Sequence, residues 1–408
     1  MTKFGVGFSE LSDSFNAGVT AAQEAIQSLE LPESKINICF LFCTSRHEAE
    51  LFYNGVKHVV GDCDYLGGFA NGTITNNNFG YDGYQCVVGL LSSDEIESHF
   101  FIEKGIAFNE YETGKGLFKQ IAETEFNGIP KMLLLFDAVN REKGRFQMNF
   151  GTPLLQGAIE EIKTWPDIVG ARLMGDMKFK PTHQWFKNEM THNSAMALAL
   201  TGNIEMDVLR LDGCTPASAY HTVTKCEGAA ILEIDGVPAM DFVGKMMGPQ
   251  IENDYEQMKF FVTMGKNLGD KWDRKNAEYV NRMCVGVNPK NKSLIMAEAD
   301  LKVGTEFQFM RRGQEMDLIE ESVTFFTQNI EREGKKPLFA LYLNCAGRAN
   351  AYSQNYTEDA IHVQNAVNNK FPILGIYEAG ELAKINGDFQ VFDWTGVFCL
   401  FSQKNEVN

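Results

Sequence analysis

The chain has 408 residues, 44% of them hydrophobic and 22% charged, which is enough apolar mass for two or three ordinary domains and too much for intrinsic disorder. Its formal net charge of −17 would repel a phosphate backbone, so nucleic acid is excluded as an expected partner and membrane insertion is not expected. No apolar run reaches the roughly 18 residues of a membrane span. The start, Met1-Thr2-Lys3-Phe4-Gly5, lacks the apolar core of a signal peptide, so a cytoplasmic location is expected.

Taken in chain order, Gly5-Val6-Gly7-Phe8-Ser9 opens a strand, and candidate caps at Ser12, Asp13 and Ser14 lead into a helix. That helix carries Phe15, Val19, Ala22, Ile26 and Leu29 on one face. The unbroken apolar run from Ile36 to Cys43 predicts a buried strand, and Phe52, Val56, Val59 and Val60 predict a second helix. A glycine-bearing strand, Tyr65 to Ile74, and another, Gln85 to Leu91, complete an α-β-α-β-β unit.

This unit returns twice. In the second copy Leu117, Phe118 and Ile121 mark the first helix, Lys131 to Phe136 the buried strand and Leu154 to Ile162 the second helix; Ile168 to Met174 and Ala195 to Leu200 are the later strands. In the third, Met316, Ile319, Val323, Phe326 and Ile330 repeat at helical spacing. Leu338 to Leu343, a helix from Ala360 to Val367, Ile373 to Tyr377 and Gly396 to Phe401 follow. Apolar strands joined through a helix predict parallel pairs, and the short link closing each unit predicts an antiparallel neighbour.

Between the second and third copies the pattern changes. Gly228 to Gly236 reads as a strand and turn, Tyr255 to Lys266 as a long helix, and Glu298 to Met310 as paired strands around Gly304. The expected fold is therefore α/β, with repeated α-β-α-β-β units building mixed sheets covered by helices. Two closely associated lobes are expected, 1–222 and 223–408, since no Pro- or Ser-rich linker separates them.

Residues at strand ends carry the functional expectation, because ligands in open α/β sheets collect there. Cys43-Thr44-Ser45-Arg46 follows the first buried strand and Cys345-Ala346-Gly347-Arg348 the third; the second offers Arg141 after Asp137-Ala138-Val139-Asn140. An arginine in such a place can hold a carboxylate through two parallel charge-assisted bonds. The glycine pairs Gly67 and Gly72, Gly170 and Gly175, and Gly375 and Gly380 are followed by Thr73, Asp176 and Glu381. The expected ligand site comprises Asn344, Cys345, Arg348, Tyr377, Gly380, Glu381, Asp176 and Arg46, with Tyr352 as a further wall.

Catalytic templates are missing: there is no Gly-x-Ser-x-Gly elbow, no Walker loop and no His-Glu-x-x-His. The nine cysteines form no Cys-x-x-Cys pair and read as small buried hydrophobes, and the seven histidines show no metal-ligand spacing. No enzymatic activity, metal or resident cofactor is expected.

Asn344-Cys345-Ala346-Gly347-Arg348, Phe371-Pro372-Ile373-Leu374-Gly375-Ile376-Tyr377-Glu378-Ala379-Gly380-Glu381 and Thr395-Gly396-Val397 resemble the C-terminal FIST domain. Asp235-Gly236-Val237-Pro238-Ala239, Arg282 to Val287 and Val303 to Phe307 resemble the strands that precede it. Val6-Gly7-Phe8-Ser9, Asn16-Ala17-Gly18 and Gly67 to Gly72 resemble the N-terminal FIST domain, although Tyr65-Leu66-Gly67-Gly68 departs from its usual Cys- or Ser-bearing turn. The resemblance implies an intracellular sensory protein of signal transduction that binds a small molecule, an amino acid or a carboxylate, and signals through a separate protein such as a histidine kinase. It also implies an alternative, a haem-binding nitric-oxide sensor; in that case His47, beside Arg46, or His58, on the helix that follows, would be the iron ligand by its location near the strand end. A third reading is an enzyme using Cys345 as nucleophile, a cysteine beside an arginine having a lowered pKa.

Overall fold

The computed structural model describes residues 1–29, 35–142, 147–248, 254–273, 277–313, 318–353 and 357–404, so Met316, expected in the third unit's first helix, lies outside them. The first unit runs β1 (Lys3–Ser9), α1 (Ser14–Leu29), β2 (Ile38–Cys43), α2 (Ala49–Val60), β3 (Asp64–Phe69), β4 (Gly72–Ile74), β5 (Phe79–Tyr81) and β6 (Cys86–Ser92). The Asp13 carboxylate accepts from Asn16 N at 2.8 Å and so caps α1.

The second unit runs β7 (Ile96–Lys104), α3 (Glu110–Ala122), β8 (Lys131–Asp137), the two-residue pair β9 (Val139–Asn140) and β10 (Gln147–Met148), α4 (Gly151–Glu161), β11 (Asp167–Leu173), β12 (Gln184–Phe186), β13 (Glu189–Thr191) and β14 (Ser194–Gly202). The third starts with β15 (Glu205–Asp212), and a large insertion then precedes the rest of it. The insertion comprises β16 (Cys214–Pro216), β17 (His221–Glu227), β18 (Ala230–Ile234), β19 (Val237–Pro238), α5 (Ala239–Met247), α6 (Tyr255–Phe261), β20 (Thr263–Asn267), β21 (Tyr279–Asn288), β22 (Ser293–Met296) and β23 (Glu306–Arg312). The unit resumes with α7 (Ile319–Arg332), β24 (Lys335–Cys345), α8 (Asp359–Val367), β25 (Ile373–Glu378), β26 (Glu381–Ile385), β27 (Asp388–Phe392) and β28 (Thr395–Lys404).

Each unit forms the same sheet. The parallel pairs are β2 with β3, β8 with β11 and β24 with β25. The closing strand is antiparallel, as expected, but it pairs with the buried strand on the far side from its sequence neighbour: β6 with β2, β14 with β8 and β28 with β24. The leading strands β1, β7 and β15 then add outside β6, β14 and β28.

The position beside each parallel pair is filled by a hairpin from another unit, so the single strand expected from Tyr65 to Ile74 breaks at Ala70-Asn71. Its second part, β4, leaves for β25 of the third unit. The second unit sends β12 to β3, and the third sends β26 to β11. The exchange is cyclic and ties residues 1–222 to residues 223–408 in both directions.

Apolar strands such as Ile-Cys-Phe-Leu-Phe-Cys of β2 are buried on both faces. One face, with Phe40, Leu133, Leu341 and their neighbours, joins a single core shared by all three sheets. The other face meets the unit's own helices: Cys39 and Leu41 under α1 and α2, Met132 and Leu134 under α3 and α4. Phe339 stacks between Phe4 at 3.9 Å and Phe401 at 4.7 Å, joining the first and third sheets. A void of about 10 Å³ among Phe40, Leu133, Leu198 and Leu341 holds one water at most.

The insertion closes on itself, β23-β17-β18-β22-β21-β20, with β20 returning to β23, around its own core. Two expectations fail here. The helix from Tyr255 ends at Phe261, because extended Val262 leads Thr263 and Met264 into a ladder with Met283 and Arg282. Only Glu306 onward forms a strand near Gly304, because Glu298 and Asp300 turn away to pair with Arg172 and Arg282.

Candidate functional site

The third unit's strand end is closed, and most of its polar groups meet protein partners, although Arg348 Nη2 and Asn344 Oδ1 are buried without one. Arg348, in a 3₁₀ turn after β24, is 0% exposed. Its Nε donates to Asp359 Oδ2 at 2.9 Å and its Nη1 to Leu211 O at 2.9 Å. Asp359, at the start of α8, also accepts from Asn344 Nδ2 at 2.9 Å and from the Tyr342 hydroxyl at 3.1 Å. Tyr377 is buried and donates to Glu358 at 2.8 Å. Burial pushes the Cys345 thiol up to about 11, the reverse of the activation that a nucleophile needs.

Gly380 and Glu381 belong to a second buried cluster. Glu378 Oε2 accepts from Gly380 N at 2.7 Å and from Arg172 N at 3.2 Å, and Glu381 Oε2 accepts from Thr395 N at 3.2 Å. The two carboxyls are close neighbours, and Oε1 of each is buried without another partner. Burial raises both, Glu378 to about 7, and Glu381 well above its ordinary range, Cys345 and Glu378 adding to the latter. The adjacent Arg172 guanidinium joins Glu298 of the insertion (2.9 Å) to Asp393 of the third unit (2.7 Å). Glu298 in turn accepts from Gly151 N and Thr152 N at the start of α4. β24 and β25 are adjacent and parallel as expected, but Arg348 and Glu381 meet buried protein partners rather than an open cleft.

Arg46 and Asp176 lie in another place, where the first and second units meet. Arg46 is exposed just after β2; the Ser45 hydroxyl beside it donates to Asp176 Oδ2 at 2.8 Å. Asp176 is not the ladder counterpart of Thr73 and Glu381. That position belongs to Gln184, which faces Gly68 as Glu381 faces Ala171 and Thr73 faces Ile376. The second unit carries a longer segment before its hairpin, which displaced the sequence alignment. Both ring nitrogens of buried His47 are engaged, with Ser14 Oγ at 3.2 Å and Tyr84 O at 2.9 Å. His58 is exposed on α2, its ring tilted against Phe15.

An open concavity lies at the equivalent strand end of the second unit. A cavity of about 310 Å³ is lined by Asp137, Arg141, Glu142, Thr182, His183, His192 and Asn193, with Ala107, Val139 and Pro181 as apolar walls. Asp137 ends β8 and is 3% exposed. Its Oδ1 accepts from Val139 N and its Oδ2 from Asn193 N, both at 2.9 Å. Asn193 reaches this geometry with φ 52°, a left-handed conformation that asparagine tolerates, and its Oδ1 accepts from Ala107 N.

Burial pushes the Asp137 carboxyl above the usual range, against the Thr182 hydroxyl and the two amides. Burial, then the neighbouring His192, holds His183 below its ordinary value. At the rim Arg141 is exposed and donates to Phe179 O at 3.4 Å. Of these residues the sequence reading had singled out Arg141 as a strand-end arginine. Asp137, the first carboxylate after an apolar strand, was visible in the same way. His183 and His192 were not, because they flank a hairpin that pairs with the first unit. Among the described residues no His, Cys, Asp and Glu cluster could hold a metal ion, and no helix is long and apolar enough to cross a membrane.

Fold and cavity together define an α/β protein of three interlocked units with a barrel insertion and a cavity at one strand end. Residues 37–237 match the family model of the FIST N domain and residues 239–384 that of the FIST C domain. The chain belongs to the FIST family, whose domains are associated with small-ligand-binding sensory signalling. Two uncharacterised proteins of Mycobacterium tuberculosis strains, MT0656 and Rv0628c, are each 21% identical to it over 239 residues, 57% of this chain. The chain spans 60% of the length of these relatives. Among solved structures, cyanuric acid hydrolase from A. caulinodans aligns over 99% of this chain and 100% of its own at 7% identity and a TM-score of 0.37. PurLQS from Thermotoga maritima aligns over 99% and 73% at 8% identity and a TM-score of 0.24.

Proposed function

We propose that the protein is a small-ligand sensor whose ligand, an α-amino acid, occupies the cavity at the end of β8. The observation that carries this reading is the cavity itself, about 310 Å³, which is lined by both a buried carboxylate, Asp137, and a rim cation, Arg141. An ammonium group on Asp137 would favour its charged form, and Arg141 suits a carboxylate through paired charge-assisted bonds. Pro181 to His183 form one wall and continue into β12, whose neighbour is the first unit, where Phe69 N donates to His183 O at 2.9 Å. Ligand contact with this wall is thereby coupled to the rest of the molecule, and the signal leaves by contact with a separate protein, a histidine kinase being the family precedent.

Titration calorimetry of an amino-acid and carboxylate panel tests the reading. Removing a charge-assisted partner costs about 1.5–3 kcal/mol, or roughly tenfold to a hundredfold in affinity. Arg141→Ala is expected to weaken amino acids and plain carboxylates alike with near-native melting, and Asp137→Asn to weaken amino acids alone while lowering the melting temperature, because its Nδ2 replaces an oxygen that accepts a backbone N–H. A ligand that binds both variants as tightly as the unaltered protein overturns the assignment.

A further inference from the structure

Seven of the nine cysteines are buried, and only Cys63 and Cys226 are partly open to solvent. Cys63 has a second thiol beside it. In the parallel ladder of β2 and β3, Cys39 lies opposite Tyr65. Cys63, two residues before Tyr65, faces the same side and packs with Cys39, Tyr53 and Tyr65 in the cluster under α1 and α2. The two thiols are close enough that each shifts the titration of the other. Cys63 sits in the bend that precedes β3, outside the ladder, where it can close on β2 without unmaking strand pairs. The neighbouring Cys39, against burial, holds the Cys63 thiol below its ordinary value, whereas burial pushes the Cys39 thiol up. Such a pairing of a partly exposed thiol with a buried one suits stepwise oxidation.

We propose that Cys63 and Cys39 form a dithiol that reacts with a hydroperoxide, Cys63 supplying the attacking sulfur and Cys39 the resolving one. The Cys63 thiolate attacks one peroxide oxygen; the O–O bond breaks and the leaving alkoxide or hydroxide takes up a proton. Cys63 is then a sulfenic acid. The Cys39 sulfur attacks that sulfur, the S–S bond forms, and the sulfenic hydroxyl departs with the Cys39 proton as water. Two electrons pass from the thiol pair to the peroxide, and a small dithiol reverses the change. The site is separate from the cavity in the second unit and would give the protein a second, oxidative input.

The test exposes the full chain to hydrogen peroxide and maps peptides by mass spectrometry without reduction, with Cys226 as the internal reference thiol. A Cys39–Cys63 linked peptide is expected, forming at least about tenfold faster than any oxidation of Cys226. Cys39→Ser should leave a dimedone-reactive sulfenic acid at Cys63, and Cys63→Ser should leave Cys39 reduced. The linked peptide is read in the unaltered protein, so it stands even where a variant folds badly. Oxidation of Cys63 no faster than Cys226, or its over-oxidation while Cys39 stays reduced, overturns the proposal.

Discussion

At the scale of single residues, the buried arginines act as ties between distant parts of the chain. Arg172 is 0% exposed and holds Glu298 and Asp393 at 2.9 and 2.7 Å, and its guanidinium also donates to the carbonyls of Ala297 and Ala379. Taking away the cation leaves two buried carboxylates unpaired, which costs about 3–5 kcal/mol. Arg172→Leu should therefore lower the urea-derived unfolding free energy by about that amount; a change near zero would show the network to be solvated. Arg348→Ala should behave in the same way through Asp359, although in the sequence Arg348 reads as a ligand-binding residue. Its place after a strand was legible, but its partner was not: Asp359 arrives on a helix eleven positions later, and no local pattern distinguishes an arginine facing a ligand from one facing its own fold.

At the scale of elements, the helix pairs cross at glycines. A Cβ on Gly55 would stand 2.1 Å from Phe15 O, and one on Gly157 would stand 1.9 Å from Tyr111 O. Alanine is favoured over glycine inside a helix by about 1 kcal/mol. At these crossings the backbone contact outweighs that gain, so Gly157→Ala should destabilise by about 1–3 kcal/mol, measured by denaturant melts. Stabilisation instead would mean that α3 and α4 can separate at little cost. The helices and the apolar strands were legible because each carries a complete period of burial: Phe15 to Leu29 along α1, Ile38 to Cys43 along β2. The hairpins were not. β4 and β12 have three residues each and β26 has five, too short for a period to register, and their partners lie in another unit. For the same reason Asp176 aligned with Glu381 in the sequence while Gln184 takes its place in the ladder.

For the molecule as a whole, the exchanged hairpins and the charged junction make units and insertion depend on one another, and pH should report on that junction. Burial raises Glu378 from 4.5 to about 7, with Glu381, Gly380 N and Arg172 opposing, and burial raises Glu381 as well. A carboxyl with a raised folded-state value binds its proton more tightly when folded. Its contribution to stability is full below about 4.5 and is lost as pH rises through about 7. Asp300, held low by Arg282 against burial, acts in a more acidic window. The melting temperature should thus fall between about pH 5 and pH 8, and Glu378→Gln should flatten that fall. Parallel profiles for the two proteins would show that the carboxyl pair does not titrate in this range.

The account rests most heavily on one cavity acting as the sensory site, and the most direct measurement is a crystal structure of the protein grown with the amino acid that binds tightest in the calorimetric panel. The ligand is predicted to lie at the carboxyl end of β8, its ammonium group on Asp137 and its carboxylate on Arg141, between His183 and Asn193. A ligand seated instead against Arg348 and Glu381, with the β8 cavity empty, would contradict the account.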